Sequence, residues 1–469
     1  MPSIKASKTG LTQIRQAIAQ KGWKIGSDKW LVEASKILEP DGMWYPEGPY
    51  AYGCSSQTWE RFLQGTAIRD RSFMAFCQAL AINPQEIAEL SNRLQQDWGE
   101  APEATTFYGR EQELKTLENW IFEERCRLIS IAGLAGIGKT RLVRGALDKT
   151  ALSSQLANRV QADFEYLIWR RLDALLPNAL LTKLLTFIPN HQATPLPETT
   201  EGLVTQLLQY LRQHRCLLIL DNAESILQGG DRAGCYRAGY EGYEELFRRL
   251  GETAHQSCVL LMSREKLRDI EEMEGLQPVR SLNLGGLDQA AVQTVFQTIG
   301  RAHSSAFYGS VQDWDTLVSV YGGNPSLLES VAGHLLRRFD GSLPGFLEQG
   351  LMVFGKIRNL LDWHFTRLSD RQKEIMYQFA IHQKPTSIAS LRESMRSPFA
   401  QKRVPEILDN LERQIPLAKI GNRFTVQPIL IEYVSDRLAA LEEAEPPRIP
   451  QSLLVSCVSH SDEVLALDP

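Results

Sequence analysis

The middle of the chain alternates short apolar runs with longer stretches in which apolar residues recur at helical spacing. The runs are Leu128–Ala132, Tyr166–Trp169, Leu217–Leu220, Val259–Met262 and Val279–Leu284. Strands that alternate with helices in this way form a parallel sheet that is covered by helices on both faces. The pattern predicts an α/β domain with a parallel five-stranded sheet over residues 107–287.

The first 98 residues show helical patterns only. Leu11, Ile14, Ala17 and Ile18 recur at helical spacing, and Gly22 follows them as a stop signal. A loop rich in Pro, Gly and Tyr is predicted over residues 40–53, and further helices over 57–64, 71–81 and 85–96. We therefore predict an all-helical N-terminal domain over 1–98 and a linker over 99–106.

Beyond the predicted sheet the strand-like runs stop. The sequence predicts a helical subdomain over residues 288–345, and several short helices with one hairpin over residues 346–441. The hairpin is predicted from two short apolar stretches that flank the Gly421-Asn422 turn. Helices with such a hairpin are typical of a winged helix. The acidic segment 442–469 contains several prolines and is predicted to be a poorly ordered tail.

Composition excludes several classes of protein. Of the 469 residues, 43% are hydrophobic and 23% charged, which is unlike a disordered, collagen-like or coiled-coil chain. The net charge of -5 gives no global reason for polyanion binding. There is no secretory h-region and no apolar string long enough to cross a bilayer. Seven cysteines without a C-x-x-C pair favour reduced thiols, so we expect a cytoplasmic protein without membrane contact.

The strongest chemical signal is a glycine-rich loop between the first predicted strand and the next helix. It reads Gly133-Leu134-Ala135-Gly136-Ile137-Gly138-Lys139-Thr140 and fits the P-loop pattern G-x-x-x-x-G-K-[ST]. Its backbone N–H groups can surround phosphates, Lys139 can reach the β- and γ-phosphates, and the Thr140 hydroxyl can bind Mg²⁺. We assign the phosphate contacts to Gly133, Gly136, Ile137, Gly138, Lys139, Thr140 and Arg141.

A second signal lies about 80 residues further on, where an apolar strand ends in Asp221. This is the Walker B pattern, in which the carboxylate holds Mg²⁺ through water. Asn222 stands where many related ATPases have a second acid, and an amide is a poor base. Glu224 can polarise water instead, although an exposed glutamate at a helix start is the alternative. We expect hydrolysis to be slow or switch-like.

A third signal is the strand Val259–Met262, which is followed by Ser263 and Arg264. A guanidinium at this position can distinguish ATP from ADP through the γ-phosphate. The alternative is an ordinary surface arginine after a strand.

Two further segments, Phe107–Glu111 and Tyr321–Leu327, complete a resemblance to the NB-ARC type of STAND ATPase. The resemblance covers residues 107–441. It implies an AAA+/STAND-like P-loop NTPase domain followed by helical and winged-helix subdomains. It also implies that Gly109 and Arg110 lie near the base and ribose, and that Pro325 packs on the adenine.

The sequence departs from this family in the winged helix. Many relatives carry a Met-His-Asp motif there, and its His contacts the β-phosphate and locks the ADP state. The corresponding stretch in this chain is Thr425-Val426-Gln427-Pro428. Gln427 can donate a hydrogen bond to a phosphate but cannot carry charge. A plain helix N-terminus is the alternative.

The N-terminal domain resembles a helix-turn-helix of the Cro/repressor type. In such a fold the helix that contains Gln57 and Arg61 enters the major groove, and both side chains can read bases. Basic residues outnumber acidic ones upstream, which suits phosphate contact. Glu60 beside this face and the aromatic loop favour the alternative, a protein–protein adaptor.

Together these features predict a molecular switch that binds ATP or ADP with Mg²⁺. Exchange of ADP for ATP would open the chain and favour a homo-oligomer that presents the N-terminal domain to DNA or to a protein. The rival functions are a DNA-binding transcription regulator controlled by the ATPase, and a constitutive ATPase, which Asn222 disfavours. Relatives usually carry a repeat array as sensor after the winged helix. The segment 442–469 is too short for such an array. We therefore expect that a separate protein is the sensor, that the tail acts as the sensor, or that the sensor has been lost.

Overall fold

A computed structural model describes residues 3–40, 42–87, 94–103, 108–147, 154–187, 196–350 and 352–444. Phe107 and the predicted tail beyond Ala444 lie outside these residues. The chain forms two compact units. The first unit is Met1–Gln95 with Asn158–Glu165, and the second is Gln96–Ala157 with Tyr166–Pro469.

Helices packed around an aromatic core dominate the first unit. They are α1 Lys8–Lys21, α2 Lys29–Leu38, α3 Ser56–Leu63, α4 Asp70–Ala79 and α5 Pro84–Ile87. Gly22 ends α1 at φ 66°, and the Ser55 hydroxyl accepts the Thr58 N–H at the start of α3, as the sequence predicts. Trp30 and Trp59 stack in the core with 5.4 Å between ring centroids.

Two parts of the N-terminal prediction are wrong. The unit is not purely helical, since β1 Ser3–Ile4 pairs antiparallel with β2 Ile68–Arg69. The helix predicted over 85–96 does not extend to its end, because Gln95–Asp97 form strand β3. Gln95 donates its N–H to the carbonyl of Glu165 at 2.8 Å. A short polar strand lacks the apolar alternation that identifies a strand in sequence.

The second unit contains a six-stranded sheet in the order β3-β5-β6-β7-β4-β8. Its further strands are β4 Leu128–Ala132, β5 Tyr166–Arg171, β6 Cys216–Asp221, β7 Cys258–Ser263 and β8 Val279–Asn283. These five pair in parallel, so the predicted parallel sheet is confirmed. The edge strand β3 was not predicted.

Helices flank the sheet and connect its strands. They are α6 Glu111–Glu118, α7 Lys139–Ala146, α9 Pro177–Phe187, α10 Thr200–Gln213, α11 Gly242–Glu252 and α12 Arg268–Met273. Helix α8 Ser154–Asp163 lies between β4 and β5 along the chain, and its residues from Asn158 onward belong to the first unit. Because the strands are parallel, the residues that follow β4, β6 and β7 meet at one edge of the sheet. This edge brings the P-loop, Asp221 and Arg264 together.

Ten helices follow the sheet in the described part of the chain. They are α13 Gln289–Ala302, α14 Val311–Tyr321, α15 Pro325–Arg338, α16 Leu343–Glu348, α17 Gly355–Thr366, α18 Asp370–His382, α19 Ile388–Ser394, α20 Pro398–Lys402, α21 Val404–Gln414 and α22 Pro428–Ala444. The predicted hairpin is present as β10 Ala418–Ile420 and β11 Arg423–Thr425, with β9 Thr386–Ser387 on its other side. One continuous apolar core runs through this whole region, from Leu287 to Val434. None of the helices described in the chain combines the length and apolar character that a membrane span needs.

Candidate functional site

The P-loop connects β4 to α7, as its sequence predicts. Gly136 and Gly138 have φ values of 76° and 103°, where side chains are strained. A Cβ at Gly136 would lie only 2.5 Å from the Cβ of Ser326. Glycine is therefore required both by the turn and by the close approach of α15.

Lys139 begins α7 and is only 9% exposed. Its Nζ donates to the loop carbonyls of Gly133 at 2.7 Å and Leu134 at 3.1 Å. The pKa of Lys139 is lowered to about 8, chiefly by burial; Glu224 opposes this shift, Arg264 adds to it, and Asp221 opposes it. The ammonium remains largely protonated near pH 7 and lies at the start of a helix, where anions are favoured.

Thr140 and Asp221 lie side by side. The Thr140 hydroxyl donates to Asp221 Oδ2 at 3.3 Å, and Asp221 Oδ1 accepts the N–H of Asn222 at 2.8 Å. Burial raises the pKa of Asp221, and Glu224 adds to this shift. A hydroxyl and a buried carboxylate are the hard oxygen donors that Mg²⁺ prefers, so this pair fits Mg²⁺.

Glu224 and Arg264 form an ion pair beside that carboxylate. Glu224 Oε1 lies 2.7 Å from Arg264 Nε, and its Oε2 accepts the backbone N–H of Arg264 at 3.0 Å. Glu224 is 4% exposed, so it is not the exposed helix-start residue considered as the alternative. Asn222 donates its side-chain amide to Asp173, a contact that the sequence did not indicate.

Arg110 is buried and joins the P-loop to the segment after β8. Its guanidinium donates to the carbonyls of Ile137 at 3.1 Å and Gly285 at 2.8 Å, and pairs with Glu113 at 2.8 Å. Gly109 precedes it at φ 63°. Arg110 therefore holds the P-loop to the segment after β8 through its hydrogen bonds to these two backbone carbonyls.

The N-terminus of α15 lies against the P-loop. Asn324 donates its side-chain amide to the carbonyl of Ala135 at 2.9 Å, and the N–H of Ser326 donates to the carbonyl of Gly136 at 3.3 Å. Pro325 is buried, and its Cγ would lie 3.9 Å from a Cβ at Gly138. The structure thus brings Pro325 to the P-loop from a distant part of the sequence.

Gln427 is placed at the same site. With Ile137 and Arg264 it lines a cavity of about 210 Å³. Its side chain packs on Gly322, where a Cβ would lie 2.4 Å from Gln427 Nε2. Arg141, in contrast, points to α15 and pairs with Glu329.

Three residues at the end of α17 also reach this site, and sequence reasoning did not find them. His364 Nε2 accepts the N–H of Ala135 at 3.0 Å. The Trp363 ring lies 4.4 Å from the Arg264 guanidinium carbon, and Arg367 pairs with the buried Glu265. Nothing local in the sequence ties these residues to the P-loop.

The two predicted base-reading residues lie in the first unit. Gln57 and Arg61 are both exposed on α3. Arg61 donates one guanidinium N–H to the carbonyl of Ala67 at 2.8 Å. Both side chains are accessible to solvent, which a DNA contact and a protein contact would each require.

Residues 106–260 match the family model of the AAA ATPase domain. The chain therefore contains a P-loop ATPase domain of the AAA family, in the region that holds the P-loop, Asp221 and the intervening sheet. This match identifies an AAA ATPase domain, and it does not distinguish the NB-ARC type within P-loop ATPases.

An uncharacterized WD repeat-containing protein of Nostoc sp. (strain PCC 7120) is 40% identical over 461 residues, which are 93% of this chain and 36% of that protein. The chain thus spans about a third of the length of this relative. Among solved structures, the Walker-type ATPase PABY2304 of Pyrococcus abyssi matches with a TM-score of 0.48 and 16% identity, over 72% of this chain and 99% of that one. The Aeropyrum pernix ORC2 protein matches with a TM-score of 0.43 and 16% identity, over 74% and 98%.

Proposed function

We propose that this chain is a STAND-type molecular switch that binds ATP or ADP with Mg²⁺, and that the part after the sheet comprises a helical and a winged-helix subdomain. One observation carries this proposal. Ala135, in the middle of the P-loop, is hydrogen-bonded on one side to Asn324 and on the other to His364. The P-loop therefore contacts both later parts of the chain, so a ligand at this loop can change how these parts pack.

The chemistry of the site supports adenine nucleotide as the ligand. Lys139 and the start of α7 would hold the phosphates, and Thr140 with Asp221 would hold Mg²⁺, which neutralises phosphate charge. On the other side of the P-loop, Gly109 and Pro325 would face the base. Gln427 would donate a hydrogen bond from the C-terminal region.

Slow hydrolysis fits this site better than constitutive turnover. Glu224 is tied to Arg264 through two contacts, so neither side chain is free to act on water or on a γ-phosphate in this arrangement. Asn222 has an amide at the position where a carboxylate could act as the base that activates water, and an amide is a poor base. A ligand can shift such a switch only through its different affinities for the closed and the open state.

The experiment compares the full chain with ADP and with a non-hydrolysable ATP analogue, each with Mg²⁺. We expect both to bind, and only the ATP analogue to increase trypsin cleavage after the sheet domain and to raise the mass in sedimentation. Binding without any difference between the two nucleotides would leave an ATPase domain that does not switch. If the chain binds neither ADP nor the ATP analogue, the proposed function is wrong.

Helix α3 supports a second candidate, a DNA-binding regulator controlled by the ATPase. Its N-cap by Ser55 and its exposed Gln57 and Arg61 are suited to entering a groove. We expect duplex DNA binding to weaken steeply with salt, and Arg61→Ala to lower the affinity for a preferred sequence about tenfold. Lys356→Ala, an exposed lysine of the second unit, is the control. Failure to bind duplexes at low salt would favour the protein adaptor.

A further inference from the structure

The segment that follows β7 is joined to the C-terminal region almost residue by residue. We call this segment, residues 264–271, the docking strip. Its partners come from the end of α17 and from α21, which are distant in sequence. The contacts pair Arg264 with the Trp363 ring, Glu265 with Arg367, the Lys266 N–H with the carbonyl of Arg413, Arg268 with Asn410, and Glu271 with Arg413. The docking strip is therefore a contact surface between the sheet domain and the C-terminal region.

The docking strip has an apolar side and a polar side. Leu267 and Ile270 are each 1% exposed and belong to the apolar core of the sheet domain. Among the described residues, that core and the core of the C-terminal region, residues 287–434, are separate clusters. The polar groups of the strip make its contacts with the C-terminal region, so separation of the two regions would leave Leu267 and Ile270 packed in the sheet domain. Opening at this surface therefore does not carry the cost of exposing these core residues.

Opposite charges meet on the polar side of the strip. Glu265 accepts two hydrogen bonds from the guanidinium of Arg367, and Glu271 Oε2 lies 2.9 Å from Nε of Arg413. Burial raises the pKa of Glu265, and the hydrogen bond and charge of Arg367 oppose this shift. A buried carboxylate needs such a partner, so Glu265 favours the arrangement in which Arg367 is docked.

A third ion pair of the same polarity lies beside the strip, where Arg371 of α18 pairs with Asp231 at 3.2 Å. In all three pairs the C-terminal region supplies the arginine and the sheet domain supplies the carboxylate, whereas the pair of Arg141 with Glu329 near the P-loop has the opposite polarity. The pairs of Arg371 and Arg413 are partly exposed. Ion pairs of this kind are weak individually and are screened by salt, so the contact is reversible.

We propose that the docking strip is the surface at which the chain closes and opens, and that arginines of the C-terminal region hold it closed through carboxylates of the sheet domain. This inference rests on the proposed function, because it names the contact that regulates the same site. Arg264 begins the strip and also lines the cavity at the P-loop, so the nucleotide site and the closing contact share a residue. Release requires only that polar groups exchange their protein partners for water.

The experiment reverses one ion pair in the ADP-bound full chain and measures the rate of chymotrypsin cleavage after the sheet domain, which follows the open fraction. Chymotrypsin is used because the substitutions change trypsin sites. We expect Arg413→Glu and Glu271→Arg each to raise this rate about fivefold, because each places two like charges in contact. The double variant restores the pair with reversed polarity, so its rate should return to that of the wild type.

Arg403→Glu is the matched control, since Arg403 is an exposed arginine that precedes α21 and pairs with Glu406 of that helix. Its rate should equal that of the wild type. Single variants that are cleaved at the wild-type rate overturn the inference, and so does a double variant that is cleaved as fast as the single ones. In either case the proposed function stands if the wild type still responds differently to ADP and to the ATP analogue. It fails if the wild type binds neither nucleotide.

A second measurement uses only the wild-type chain. Raising the salt concentration from about 0.1 M to about 1 M shortens the Debye length from about 10 Å to about 3 Å, which weakens exposed ion pairs. With ADP kept saturating, we expect cleavage after the sheet domain to accelerate relative to cleavage of an unfolded substrate by the same protease. Unchanged or slower cleavage at high salt would indicate a closing contact that is not held by charge, and would overturn the inference.

Discussion

Replacing Lys139 by Ala is expected to lower the affinity of the full chain for ATP and for ADP about 100-fold. The Lys139 side chain is almost completely buried at the start of α7, so its charge is poorly screened by solvent. Its pKa is lowered to about 8, which leaves it protonated near pH 7 and able to donate to phosphate oxygens. Alanine retains the helix but supplies neither charge nor donors.

Nucleotide extracted from purified protein and titration with labelled ADP test this expectation. Lys115→Ala is the matched control, because Lys115 is an exposed lysine on α6 of the same domain. The melting temperature of Lys139→Ala without nucleotide is measured alongside, since the change also leaves the carbonyls of Gly133 and Leu134 without the ammonium donor. Equal nucleotide content in the wild type and in Lys139→Ala would contradict the assignment of this P-loop.

Local sequence was sufficient for the motifs that lie within one loop or strand end. The P-loop and Asp221 follow runs of buried strand residues, and the parallel order of β4, β6 and β7 brings them together. The edge strand β3 was missed because Gln95–Asp97 are polar and carry no alternation. Edge strands depend on pairing with distant residues, which a single sequence does not display.

Contacts between distant segments could not be predicted for the same reason. His364 lies 229 residues after Ala135, and Asn324 lies 189 residues after it. Each was visible only as a polar residue near a helix terminus or on a helix face. The family resemblance pointed to Gln427 as the contact from the C-terminal region, and the structure places Gln427 at the cavity but gives the hydrogen bond to the loop to His364. The phosphate contact of Gln427 stays a prediction, and the tertiary packing determines which side chain is hydrogen-bonded to the loop.

The second large effect is expected for Asp221→Asn, which should abolish the Mg²⁺ dependence of ATP binding and lower hydrolysis about 100-fold. Asp221 accepts hydrogen bonds from the Thr140 hydroxyl and the Asn222 N–H, so one carboxylate links the helix after the P-loop to the end of β6. Asparagine preserves the size and one acceptor oxygen, but it loses the negative charge that attracts a divalent cation. Burial already raises the pKa of Asp221, and the hydrogen bonds from the Asn222 N–H and the Thr140 hydroxyl, followed by the charge of Lys139, oppose this shift and favour the ionised form.

ATP binding with Mg²⁺ and with EDTA separates the loss of the cation from the loss of the nucleotide site. In the wild type, EDTA should weaken ATP binding, whereas in Asp221→Asn the two conditions should give the same affinity. That affinity should match the EDTA value of the wild type, because Lys139 and the P-loop amides remain. Asp315→Asn, an exposed carboxylate on α14, should behave as the wild type. If Asp221→Asn keeps a Mg²⁺-dependent affinity, another carboxylate binds the ion, and the buried Glu224 beside Arg264 is then the residue to replace next.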